Sequence, residues 1–110
     1  MQLLKRLPLD SASGEQMRIR WSHKALLNLD VAVEYIAADN PAAAAKVAQR
    51  IWNAAHLLAD QPGMGRPGRV AGTRELVVPG LPYILPYVEK EGAVIILRVI
   101  HTSIKWPEKF

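Results

Sequence analysis

The residues best equipped for chemistry fall in the second half of the chain. Arg66, Arg69 and Arg74 lie close together in sequence around a short β-rich segment. A cluster of guanidinium groups suits a phosphate or carboxylate partner, and scattered charge on a solvated loop is the competing reading. Arg98 alternates with Leu97 and Val99 in a strongly apolar run, so it either pairs with a carboxylate such as Glu75 or Glu89 or reaches a partner. Tyr83, Leu85 and Tyr87 share one face of a strand by period two. The two tyrosines there either stack on a base or a peptide or cover the edge of the core. His101 is a candidate general base, but no nucleophile or carboxylate pattern accompanies it, and a hydrogen-bonded structural histidine fits as well. Lys105 and Trp106 follow, a cation beside an indole, a pairing suited to contact.

Metal and thiol chemistry find no support. The chain has no cysteine, which excludes disulfides and thiolate metal sites. His23, His56 and His101 are far apart and show no ligand spacing, so neither metal nor cofactor is expected. The net charge of +4 and a sequence pI near 9.7 favour an acidic partner, whether nucleic acid, an anionic surface or an acidic protein segment; a mildly basic surface is the plainer account. No apolar stretch approaches the roughly 20 residues that span a bilayer. The first ten residues lack the long apolar core and small-residue cleavage site of a signal peptide, and the cytoplasm is the expected location.

The elements that must position these residues can be read from spacing. Residues 1–16 end in Ser11-Ala-Ser-Gly-Glu-Gln16 and read as a loose leader; Met17 is a candidate internal start. Residues 17–110 form a single domain. Met17, Ile19 and Trp21 alternate with two arginines, the pattern of a half-buried strand. Ser22 caps a helix whose apolar stripe is Leu26, Leu29, Val33 and Ile36. Asp39-Asn40-Pro41 stops it and starts a second, with Asn40 as cap and Pro41 in the first turn, where a missing N–H costs nothing. Ala44, Val47, Ala48, Ile51, Ala55 and Leu58 recur at helical spacing, small enough to pack the two helices as an antiparallel hairpin. Gln61-Pro62-Gly63 ends the second helix.

From Gly72 onward the pattern is strand. Thr73–Pro79, Leu81–Glu89 and Ala93–His101 are β-rich, with Lys90-Glu91-Gly92 as a hairpin turn. The last run is the most apolar and belongs at the centre or flank of the sheet. Pro86 removes a ladder donor, so a bulge or break is expected there. The order β-α-α-β-β-β predicts an α+β fold, with a helical hairpin covering one face of a small antiparallel sheet.

Four segments together resemble the RelE/ParE superfamily of toxins, over residues 17 to about 106. They are Trp21-Ser22-His23-Lys24-Ala25 with Leu29; Leu57–Pro67 with its Pro62-Gly63-Met64-Gly65 turn; Arg74-Glu75-Leu76 with Tyr83-Ile84-Leu85-Pro86-Tyr87; and Ile96-Leu97-Arg98-Val99-Ile100-His101. The turn and the Arg-Val-hydrophobic-His ending look most like the ParE branch. That resemblance implies the toxin of a type II toxin–antitoxin pair, inhibiting DNA gyrase by binding and held in a hetero-oligomer by a ParD-like antitoxin encoded next door. RelE-type nucleases, which cut messenger RNA on the ribosome, carry cations where this chain has Glu75, Val77, Ile84 and Ser103, and a C-terminal tyrosine it lacks. No catalytic residue is therefore expected. Ribosome-dependent cleavage by a non-standard site, in which His101 and Glu75 take part, is the alternative, as is a degenerate member that only binds its antitoxin. The target surface implied is Arg66, Arg69, Arg74, Arg98, Lys105 and Trp106. Antitoxin contact is expected at Leu27, Val31, Trp52, Tyr83 and Tyr87.

Overall fold

In the computed structural model, which describes residues 16–107, 109 and 110, the chain opens with strand β1 (Arg18–Trp21). The expected leader therefore lies outside the described residues except for Gln16, whose Nε2 donates to Asp60 Oδ1 at 3.1 Å. Helices α1 (His23–Ala37) and α2 (Pro41–Leu57) follow. Then come β2 (Arg66–Pro67), β3 (Arg74–Val77), β4 (Tyr83–Lys90), β5 (Ala93–Ile96) and β6 (Ile100–His101).

Both helix starts are where the sequence puts them. Ser22 Oγ accepts from Ala25 N at 3.0 Å, and Asn40 Oδ1 accepts from Ala43 N at 3.1 Å with Pro41 in the first turn. Each cap satisfies one backbone donor that the helix itself cannot. Ala44, Ile51 and Ala55 of α2, and Leu58 at its C-cap, are buried as their spacing predicts. In α1 Leu29, Val33 and Ile36 are half-buried as their spacing predicts. Ala25 is buried and Leu29 and Ala32 pack on the core, whereas Leu26 is 43% exposed.

The sheet runs β1-β5-β4-β3-β2, with β6 pairing β4. It is mixed rather than antiparallel throughout, because β1 lies parallel to β5, with Arg18 opposite Ala93 and Trp21 opposite Ile96. A parallel pair needs a long crossover, and here the helical hairpin and the β2–β4 meander lie between its two strands. The hairpin turn sits at Glu91 and Gly92, both at positive φ (52° and 78°), as a tight two-residue connection requires.

Strand β4 runs unbroken through Pro86, which pairs with Glu75 on one side; the break falls on the other side, where the last apolar run is split into β5 and β6. Leu97 N donates to Pro86 O at 2.8 Å, but proline has no N–H to return the bond. Leu97 O accepts instead from the Ser22 hydroxyl at 2.9 Å, so one serine both caps α1 and repairs the ladder.

Alternation gives the sheet two unlike faces. One carries Tyr83, Leu85, Tyr87, Leu76, Val94 and Ile96, which pack with Ile51, Ala54, Ala55 and Leu58 of the α2 region to form the core. The other carries Arg66, Glu75 and Pro86 in one row and Arg18, Ala93 and Lys90 in another.

Candidate functional site

Glu75 organises the arginines. It is only 2% exposed, and its carboxylate accepts from Arg66 Nε and Nη2, both at 3.1 Å, through Oε1. Oε2 accepts from the Arg69 backbone N at 2.8 Å and from Arg69 Nε at 3.3 Å. Burial alone would push its pKa up, but the Arg69 backbone N–H, the Arg66 guanidinium and the Arg69 charge together outweigh it and hold the carboxyl below the usual 4.5. The register places Arg66 opposite Glu75 across β2 and β3, and the loop through Gly68 brings Arg69 back. A Cβ at Gly68 would collide with Thr73 Oγ1 and lie 2.9 Å from the Thr73 carbonyl oxygen, so only glycine fits this close return.

The tail completes the cluster. The Arg69 guanidinium carbon sits 3.8 Å from the centre of the Trp106 ring, within cation–π range. Trp106 and Phe110 are 6.2 Å apart, and Arg98 lies 6.0 Å from the Phe110 ring. Arg98, Lys105 and Trp106 also line one depression of about 340 Å³ with Asn28, and Asn28 Oδ1 accepts from Val99 N at 3.2 Å.

Five of the six residues expected on the target surface are thus joined. Arg74 stands apart. It is opposite Tyr87 on the helix-bearing face, where Nη1 donates to Gly65 O at 2.8 Å and to Gly63 O at 3.5 Å. Of the two readings for Arg98, the carboxylate pair is not found among the described residues: Glu75 is taken by Arg66 and Arg69, and Arg98 Nε is buried without a hydrogen-bond partner there.

The tyrosines are corrected as well. Tyr87 is fully buried; its hydroxyl accepts from Gly65 N at 2.9 Å and donates to Pro62 O at 2.7 Å. It ties down the turn after α2 and cannot meet a partner. Burial raises its phenol pKa, more than the Gly65 hydrogen bond and the Arg74 charge lower it. Tyr83 is also buried and presents only an edge, to His101 at 5.2 Å and to a shallow groove; burial raises its pKa too.

The groove has about 450 Å³ and is lined by Val31, Tyr35, Tyr83, His101 and Ile104 among others. Leu27, Val31 and Trp52 are exposed as a contact role requires, with Trp52 stacked on Trp21 at 5.1 Å. Sequence reasoning missed Tyr35, which is 81% exposed. The signal was available: Leu27, Val31 and Tyr35 recur every four residues and form an outward apolar stripe.

His101 does not join Glu75. His101 pairs with Tyr83 and Glu75 with Pro86, three residues apart on β4 and so on opposite faces. His101 Nδ1 accepts from Ser103 N at 3.1 Å and lies 2.7 Å from Ser103 Oγ. The backbone bond assigns the ring proton to Nε2 and occupies the one lone pair a general base would use. Among the described residues, no group of acidic and histidine side chains could hold a metal ion, and no helix is long and apolar enough to cross a membrane.

A strand, a helical hairpin and a mixed sheet with an arginine-rich edge make up one α+β domain, and comparison with known proteins places it. Residues 19–106 match the family model for the ParE toxin of type II toxin–antitoxin systems, and the chain belongs to that family. It is 48% identical over 91 residues to a Sinorhizobium fredii protein named "Putative toxin Y4kP", covering 83% of this chain and 94% of that one. It is 37% identical over 86 residues to Toxin RelE2 of Caulobacter vibrioides, covering 78% and 96%. A solved structure of the chromosomal ParDE TA system from P. aeruginosa matches with TM-score 0.74 and 29% identity, over 79% of this chain and 97% of that one.

Proposed function

We propose that this toxin acts without catalysis, inhibiting DNA gyrase by surface contact, and that a ParD-like antitoxin neutralises it. The observation that carries the reading is the state of Glu75. A nuclease of the RelE type needs unopposed cations to stabilise a pentacoordinate phosphate. Here a buried carboxylate stands at that place and is spent on Arg66 and Arg69, while Ile84 is buried and His101 has its base nitrogen engaged. What is left is a contact surface: the outer sides of Arg66 and Arg69, about half exposed, with Trp106, Lys105 and Arg98 beside them.

The antitoxin is proposed to lay an amphipathic helix along Leu27, Val31, Tyr35 and Trp52, an apolar stripe of the kind that helix-in-groove partners cover. The relative from P. aeruginosa is a ParDE system, which supports this partner class. The runner-up reading is ribosome-dependent RNA cleavage, favoured by the relative named RelE2.

The test is a supercoiling assay with purified toxin, DNA gyrase and relaxed plasmid, with and without the antitoxin encoded next door. Inhibition relieved by antitoxin supports the gyrase reading. Folded toxin that leaves supercoiling intact at large excess, yet cuts messenger RNA on ribosomes, overturns it.

A further inference from the structure

The helix-free face of the sheet carries a second group of cations, distant from the Glu75 cluster. Arg18 and Arg20 are both exposed on β1 and, two residues apart, point to the same side about 6.6 Å from each other. The register sets Arg18 beside Ala93 and Ala93 beside Lys90, so Arg18 and Lys90 flank a small side chain about 10 Å apart across two strand spacings. Alanine there leaves a depression of about 320 Å³ lined by Arg18, Arg20, Lys90, Glu91, Ala93 and Ile95. Arg66 and Arg69 are bound to Glu75, but none of Arg18, Arg20 and Lys90 is in an ion pair among the described residues. Glu91 is the one carboxylate at the rim.

We propose that this patch is a sequence-independent binding surface for the sugar–phosphate backbone of double-stranded DNA. Charge complementarity selects the occupant. Three cations around a hollow with a single carboxylate at its rim suit a row of phosphates, which duplex DNA presents at one charge per roughly 1.7 Å of axis. This face of the sheet carries no helix to enter a groove and read bases, so contact stays with the backbone. The surface operates whether or not gyrase is the target, and it would add DNA affinity to a toxin acting on a DNA-bound enzyme.

The experiment is fluorescence anisotropy of a labelled 20-base-pair duplex titrated with full-length toxin, without gyrase, at 50 and 200 mM salt. Three phosphate contacts account for about a 40-fold loss of affinity between those salt concentrations. The variant Arg18→Ala/Arg20→Ala/Lys90→Ala should lose that part of the salt dependence and bind at least tenfold more weakly at 50 mM. Glu91→Gln should bind more tightly than the parent, a gain that misfolding cannot mimic. Gyrase binding by the triple variant is measured in parallel as a toxin–gyrase pull-down without DNA, and should be retained. The proposal is overturned if the parent does not bind duplex at 50 mM salt, if the triple variant binds as the parent does, or if polyglutamate competes as well as unlabelled duplex.

Discussion

Replacing Glu75 by glutamine tests the central claim about the arginine cluster. The substitution keeps volume and removes charge. One amide oxygen can still accept from Arg66, but the NH₂ must then face the Arg69 backbone N–H and Nε, which now meet a donor instead of an acceptor. An unmet buried donor costs about 1–3 kcal/mol. The lost charge–charge part adds about 1 kcal/mol, since half-exposed guanidinium groups regain water. A total of about 2–4 kcal/mol corresponds to a fall in Tm of roughly 10–25 °C for a domain of this size. Thermal unfolding by circular dichroism measures it directly. The pH dependence gives an independent check. Because the folded pKa is below 4.5, the stabilisation is complete above that value and disappears as pH falls through the lower, folded value. The parent should lose stability over that acid window, and Glu75→Gln should lack this component. A variant within about 0.5 kcal/mol of the parent, or one with an unchanged acid limb, would refute the assignment of Glu75 as the anchor.

Other residues make separate predictions. Tyr87→Phe leaves Gly65 N–H and Pro62 C=O without their shared partner and should cost about 1–3 kcal/mol in urea unfolding, with no change in antitoxin affinity. Ser22→Ala removes both the α1 cap and the donor to Leu97 O; about 2 kcal/mol is expected. In a Pro86→Ala background that loss should shrink, because an alanine at this position of β4 supplies the N–H that proline lacks. Arg98→Ala combined with Lys105→Ala should abolish gyrase inhibition while the protein stays folded by circular dichroism; full inhibition by the double variant would remove both from the target surface.

Local features are legible in the sequence. Ser22, Asn40-Pro41 and Lys90-Glu91-Gly92 act through their nearest neighbours, and the loss of a ladder bond at Pro86 follows from proline chemistry alone. Partnerships across the fold are not. The parallel pairing of β1 with β5 joins residues 18 and 93, and nothing local distinguishes it from an antiparallel edge. Alternation correctly puts Tyr83, Leu85 and Tyr87 on one face but does not say which face the helices cover. The polar carbonyl and N–H of the Pro62–Gly65 turn are the hint that a buried hydroxyl is needed there. Spacing offers Glu75 as a partner for Arg98, yet its two arginines come from β2 and the loop after it, and a two-residue strand is too short to leave a sequence pattern. In α1 Leu29, Val33 and Ile36 are half-buried as their spacing predicts and Leu26 alone departs, because Ala25 and Ala32 let the helix approach more closely than Leu26 would.

The pairing of β1 with β5 also governs when the toxin comes into being during synthesis. The first strand is made well before its only ladder partner among the described residues, and before the carbonyl that receives the Ser22 hydroxyl 75 residues away. Loop closure over that distance must precede the contacts that reward it. A chain halted before residue 93 therefore has no partner for its first strand and lacks Val94 and Ile96 from the core. Translation has to pass residue 97 before the first strand and the Ser22 hydroxyl have their partners.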